Sequence, residues 1–136
     1  MTVTRNRLGN ATNPYQGDFK RVLCVCSAGL LRSPTLAWVL SQDPYNYNTR
    51  AVGWNGDFAL IPIDEAHITW ADQIVFVEPS VERGVRSITQ DLYIDGKELI
   101  TLNIPDNFEY RNPKLVEIIK AQYAQAIEAL AADAVP

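Results

Sequence analysis

Arg21-Val22-Leu23-Cys24-Val25-Cys26-Ser27-Ala28-Gly29-Leu30-Leu31-Arg32-Ser33-Pro34 is the stretch whose reading decides the fold. Residues 21 to 25 are apolar or β-branched almost throughout, as in a strand buried on both faces. Ser33 suits a helix N-cap, with Pro34 at the first helical position, where a missing N–H costs nothing. A loop of small and apolar residues therefore joins the carboxyl end of a strand to the amino end of a helix. Backbone N–H groups in such a loop point inward, and the helix dipole adds positive potential. Together they make a nest for an oxyanion such as phosphate.

Cys26 and Arg32 lie six positions apart within it. A helix amino terminus and a nearby arginine favour thiolate over thiol, so Cys26 reads as a nucleophile. Arg32 can grip two phosphate oxygens through its planar fork, a geometry lysine does not reproduce. Ser33 can donate its hydroxyl to the sulfur and ease its departure. Ser27, Ala28, Gly29, Leu30 and Leu31 complete the loop that would wrap the anion. Such a loop binds a flattened, trigonal transition state better than the tetrahedral ester. The competing reading makes Cys26 an ordinary strand-end thiol and Arg32 a surface charge.

The chain has 136 residues, enough for one sheet with helices on both faces but not for two cores. Hydrophobic residues make up 47% and charged residues 21%, an ordinary globular balance. No apolar run approaches the ~20 residues of a membrane span, and no signal-peptide pattern opens the chain. The expected address is the cytoplasm, with no membrane partner. Cys24 and Cys26 are too close in sequence for an unstrained disulfide, and one histidine leaves too few ligands for zinc. No metal and no cofactor are expected. A net charge of −4 argues against nucleic acid as partner, so the anion nest must be a local positive spot on an acidic protein.

Residues 1 to 20 show no apolar period and are punctuated by Asn6, Gly9, Asn10, Asn13, Pro14 and Gly17. They read as an irregular basic arm, laid over the surface or acting as a flap that guides substrate. The domain proper is expected from 21 to 136. Leu36, Ala37, Val39 and Leu40 give a short helix, and Tyr47 to Val52 a modest strand. Residues 61 to 68 suggest a short helix limited by Pro62, and Ile74 to Val77 a second buried strand. Pro79 to Ile88 reads as a helix weakened by Gly84. Asp95-Gly96 looks like a hairpin turn, Leu99 to Ile104 like a third strong strand. Asn112 caps and Pro113 opens a long helix with Leu115, Ile118, Ile119, Ala126, Ile127 and Leu130 on one broad face. Apolar strands alternating with helices predict right-handed βαβ units, a mostly parallel sheet and an α/β fold. Ligands of such sheets bind beyond the strands' carboxyl ends, where Cys26 lies.

At Cys26–Ser33 the sequence resembles the low-molecular-weight protein tyrosine phosphatases, whose signature is cysteine, five residues, arginine, then serine or threonine. The resemblance extends loosely over residues 21 to 131, through Ala51-Val52-Gly53-Trp54 and the segment from Ile68 to Glu78. It implies a single three-layer α/β/α domain of flavodoxin-like topology and hydrolysis through a cysteinyl-phosphate. It also implies a general acid in an aspartate loop after the last strand. Ile104-Pro105-Asp106-Asn107-Phe108 occupies that place, with Asp106 as the acid and Phe108 as the pocket aromatic. Trp54 would line the pocket mouth. The proline precedes the aspartate here, which marks a variant branch, and Asp106 also fits an ordinary Pro-Asp-Asn turn.

Other departures bear on chemistry. Gly29 stands where the family often has a bracing asparagine, and Leu31 replaces a second loop cysteine that can protect the nucleophile. Cys24 reads as core packing, and His67 as a satisfied histidine rather than a loop support. Arsenate reduction on this scaffold needs further cysteines, and phosphocysteine carriers typically lack the arginine. A phosphopeptide- or oxyanion-binding module that has lost turnover remains the alternative. Among phosphatases, Leu30 suits an aryl phosphate, so the expected substrate is a phosphotyrosine protein or a small aryl phosphate.

Overall fold

The computed structural model describes residues 19–27, 32–54, 61–89, 94, 96–105 and 108–134. Through them run β1 (Arg21–Cys26), α1 (Arg32–Leu40), β2 (Asn48–Gly53) and α2 (Glu65–Trp70). There follow β3 (Gln73–Phe76), α3 (Pro79–Thr89), β4 (Glu98–Thr101) and α4 (Pro113–Ala134). The strands form one sheet in the order β2-β1-β3-β4, every neighbouring pair parallel. This is the α/β fold that the alternating pattern predicts, with the flavodoxin-like strand order that the resemblance implies. The basic arm lies outside the described residues except for Phe19, which is exposed, and Lys20.

β1 occupies the middle because it can be buried on both faces. Val22, Leu23, Cys24 and Val25 have no exposed surface, and large side chains buried so completely stabilise by roughly 1.5–3 kcal/mol each. Cys24 sits opposite Ala51 on one side and Val75 on the other. The connection through α1 leads one way from β1, and those through α2 and α3 lead the other way. With right-handed crossovers, α1 covers one face and α2 and α3 the opposite face. α4 packs back on α1. Asn112 caps α4 as expected, its Oδ1 accepting the Lys114 N–H at 2.9 Å. Leu115 and Ile119 are buried, and so is Tyr123, which the apolar pattern omits.

Element boundaries depart from expectation where a side chain found a different partner. α1 begins at Arg32, so Ser33 lies inside the first turn rather than capping it. α2 begins after Pro62, at Glu65, because Asp64 accepts the His67 N–H at 2.9 Å while His67 Nδ1 accepts the Asp64 N–H at 3.1 Å. Gly96 has φ of +85°, which glycine tolerates. Asp95, the other residue of the expected turn, lies outside the described residues. No helix among the described residues is long and apolar enough to cross a membrane.

The amino ends of the strands share one polar network. The Tyr123 hydroxyl donates to Gln73 Oε1 at 2.7 Å, Gln73 Nε2 to Glu98 Oε1 at 3.0 Å, and Lys20 Nζ to the same oxygen at 2.7 Å. Burial pushes the Tyr123 phenol well above its ordinary range, so it remains a donor. Tyr123→Phe removes the donor and leaves Gln73 Oε1 without it inside the core. The expected loss is about 1–3 kcal/mol by urea denaturation. An unchanged midpoint would show that the hydroxyl contributes nothing to the fold.

Candidate active site

The structure brings Cys26, Arg32 and Ser33 together at the carboxyl ends of β1, β2 and β3. Cys26 closes β1 with its side chain nearly buried, and its Sγ lies 3.1 Å from Ser33 Oγ. The Ser33 hydroxyl also reaches the Val52 carbonyl at 3.3 Å. A hydroxyl has one proton, so it serves one acceptor at a time. With a thiol at Cys26, the S–H can donate to Ser33 and Ser33 to Val52. With a thiolate, the Ser33 proton turns to sulfur. This explains why Ser33 is not spent on capping: its hydroxyl is tied to the cysteine and β2.

Cys24 is fully buried two positions earlier, and burial pushes its thiol well above the ordinary range, with the Cys26 charge adding to the effect. It stays protonated in the core, as a packing residue does. Both cysteines are free.

Arg32 is only 4% exposed. Its Nη1 donates to Glu78 Oε2 at 2.6 Å and to the Ile104 carbonyl at 3.1 Å. Glu78 follows β3 and Ile104 lies just past β4, so the guanidinium ties the ends of two further strands to the amino end of α1. This is the switch point of the sheet, where the connections leaving β1 and β3 run in opposite directions, the place at which open α/β sheets bind ligands. The sequence reading did not single out Glu78 as a site residue. Its signal was a lone carboxylate at the end of an apolar strand. A buried guanidinium needs such a partner. The Ser80 hydroxyl, and next the Arg32 guanidinium, hold the Glu78 carboxyl below the usual carboxylate range.

Ser27 is half-buried at the end of β1. Ala28, Gly29, Leu30 and Leu31 lie outside the described residues, as do Asp106 and Asn107. The described ends of the segment containing Asp106 are both bound to the first turn of α1. At one end the Ile104 carbonyl accepts from Arg32, and at the other the Arg111 N–H donates to Thr35 Oγ1 at 3.0 Å. Phe108, within this segment, packs half-buried against the core.

The Trp54 N–H donates to the Cys26 carbonyl at 3.0 Å, so the residue follows directly on the β1–β2 ladder beside the thiol. Its indole lies on α3 at Gly84, where a Cβ would stand 2.6 Å from Cδ2 and Cε2. Gly84, which weakens the helix by propensity, is the space the ring occupies. His67 belongs elsewhere: it is buried in the α2 cap with Asp64, and burial lowers its pKa and favours the neutral ring.

Among the described residues no three of His, Cys, Asp or Glu gather as a metal site. A hollow of about 660 Å³ beside Asp64, Glu65 and Trp70 carries carboxylates, the wrong sign for an anion.

Two measurements test this geometry. The depressed Glu78 carboxyl contributes stability that is present above the unfolded value near ~4.3 and lost as pH falls through the lower folded value. Glu78→Gln should therefore be less stable than wild type at neutral pH, and in thermal melts the two should draw together as pH falls below the unfolded value and through the lower folded one. A gap that persists at low pH would show that packing, not charge, holds Arg32. Gly84→Ala should gain up to ~1 kcal/mol of helix propensity but must displace the indole. Its tryptophan emission should shift to the red, and the same change should become stabilising in a Trp54→Ala background. An unshifted spectrum, with equal effects in both backgrounds, would remove Gly84 from the site's support.

No protein-family model matches the chain, no curated protein matches it, and no solved structure matches it.

Proposed function

We propose that the chain is a phosphomonoester hydrolase of the low-molecular-weight protein tyrosine phosphatase type, acting through a cysteinyl-phosphate on Cys26. One observation carries this reading. A cysteine at the carboxyl end of the central parallel strand has its sulfur 3.1 Å from the hydroxyl of Ser33, and Arg32 opens the helix that follows. A buried structural cysteine has no need of a hydroxyl donor and a fixed guanidinium beside it. The parallel strand order and the β1–loop–α1 connection agree with that family's architecture, on which the sequence signature also bears.

In the reaction the Cys26 thiolate attacks phosphorus and the bond from phosphorus to the ester oxygen breaks. The leaving oxygen takes a proton from the acid, for which Asp106 is the candidate. Water then attacks the phosphocysteine, gives its proton back to the acid, and inorganic phosphate leaves. Ser33 donates to the sulfur as the S–P bond breaks, which stabilises the departing thiolate. Arg32, held on its sheet side by Glu78 and Ile104, presents its charge to the phosphoryl oxygens. A positioned acid typically contributes ~10²–10⁴-fold, needed most for a tyrosine-like leaving group. The substrate in this reading is a phosphotyrosine protein or a small aryl phosphate, and no cofactor takes part. The cytoplasm, where thiols are kept reduced, suits such a nucleophile.

Hydrolysis of an aryl phosphate by the purified chain is the direct test. Cys26→Ser should abolish turnover and keep phosphate binding. Arg32→Lys keeps the charge but loses the two-pronged contact, and turnover should fall by about 10²–10³-fold. Wild-type protein that binds vanadate without hydrolysing any ester would establish the binding-module alternative instead. Turnover unchanged in Cys26→Ser would end the reading.

A further inference from the structure

Arg111 lies exposed in the segment between β4 and α4, and its backbone is unusual. It has φ of +60°, a left-handed conformation that glycine or asparagine adopts most readily and that costs other residues roughly 1–2 kcal/mol. The conformation is held by the bond from its N–H to Thr35 Oγ1. The side chain is then laid against two aromatic rings, with Cζ 4.2 Å from the centroid of Trp38 and 5.2 Å from that of Tyr110. Arg21, Arg32 and Arg86 each have a carboxylate within 3.0 Å. No described carboxylate pairs with Arg111. The result is an exposed cation, oriented before any ligand arrives.

Its place relates it to the phosphate site. Thr35 follows Ser33 by two residues on α1, and Trp38, on which the guanidinium rests, follows it by five, roughly 7.5 Å along the helix axis. A guanidinium stacked on ring faces keeps its N–H donors in the plane, along the ring surface, where a carboxylate can meet them edge-on. An extended peptide advances about 3.3–3.6 Å per residue, so a side chain two or three positions from the phosphorylated residue spans that separation. The protein is acidic overall, and long-range attraction does not bring an acidic ligand here. A local cation must do it.

We propose that Arg111 is a specificity-determining residue that reads a carboxylate two or three positions from the phosphorylated tyrosine. The preferred substrate is then an acidic phosphopeptide rather than a small ester. This rests on the reading of Cys26–Ser33 as a phosphate site. Pre-orientation by Trp38 and Tyr110 lowers the ordering cost of the contact, which is how one exposed pair acquires a measurable effect.

The test compares two phosphotyrosine peptides, one with glutamates two and three residues from the phosphotyrosine and one with glutamines there. kcat/KM for the pair should favour the acidic peptide by about two- to fivefold in wild type at low salt, the range of an exposed ion pair. The ratio should fall to one in Arg111→Ala, survive in part in Arg111→Lys, and invert in Arg111→Glu. Added salt should erase it. Because each ratio is taken within one variant, a general loss of stability cancels. A ratio unmoved by all three substitutions would overturn the proposal and leave Arg111 as a clip between α1 and its loop. Binding of the same peptides to Cys26→Ser separates the two claims. If wild type hydrolyses neither peptide but the variant still prefers the acidic one through Arg111, the recognition stands and the hydrolase reading falls. If neither peptide binds or reacts, both fall.

Discussion

The burial of β1 on both faces and both edges is the constraint from which the rest follows. Val22 to Val25 meet β2 on one side, β3 on the other and helices above and below. No charged group can sit along such a strand without a large desolvation cost, so polar chemistry is driven to its ends. Cys26 is the last residue that still belongs to the ladder, opposite Gly53, and the first that polar side chains can reach. Its position is set by the core rather than by the loop.

The two ends of the sheet solve the same problem differently. At the amino ends, Tyr123, Gln73, Glu98 and Lys20 form a chain of hydrogen bonds running from the core to the surface. That arrangement anchors α4. At the carboxyl ends, the buried Arg32 guanidinium is balanced by Glu78, which still has about a third of its side chain exposed. The second arrangement fixes a cation in the first turn of the helix that carries Ser33, while its counter-charge faces the surface. It is a poised site, where the first is a closed one.

Several supports of the site follow from single side chains displaced from their expected roles. Ser33 matches an N-cap by residue type, but its hydroxyl is taken by Cys26 and Val52, and the helix starts at Arg32, two residues before Pro34. Gly84 scores as a helix breaker, yet its missing Cβ is where Trp54 lies. His67, the lone histidine, is satisfied as its sequence reading has it, but by completing the cap of α2 with Asp64. Such pairings join residues tens of positions apart or compete with a local motif, and local patterns do not report them. Asp106, the proposed acid, falls outside the described residues.

By itself the sequence determined the α/β class and the parallel sheet, because alternation of apolar strands with helices leaves few other ways to bury both faces. It also determined that Cys26, Arg32 and Ser33 would share one strand–loop–helix, since they are neighbours in the chain and need no long-range information. Only the tertiary structure decided what surrounds them. Glu78 and Ile104 reach Arg32, Trp54 reaches Gly84, and Arg111 reaches Thr35 and Trp38, through contacts between segments remote in sequence. Those contacts depend on the order β2-β1-β3-β4, which places the ends of β3 and β4 beside the start of α1. No local propensity encodes that adjacency; it comes from which strands pack together.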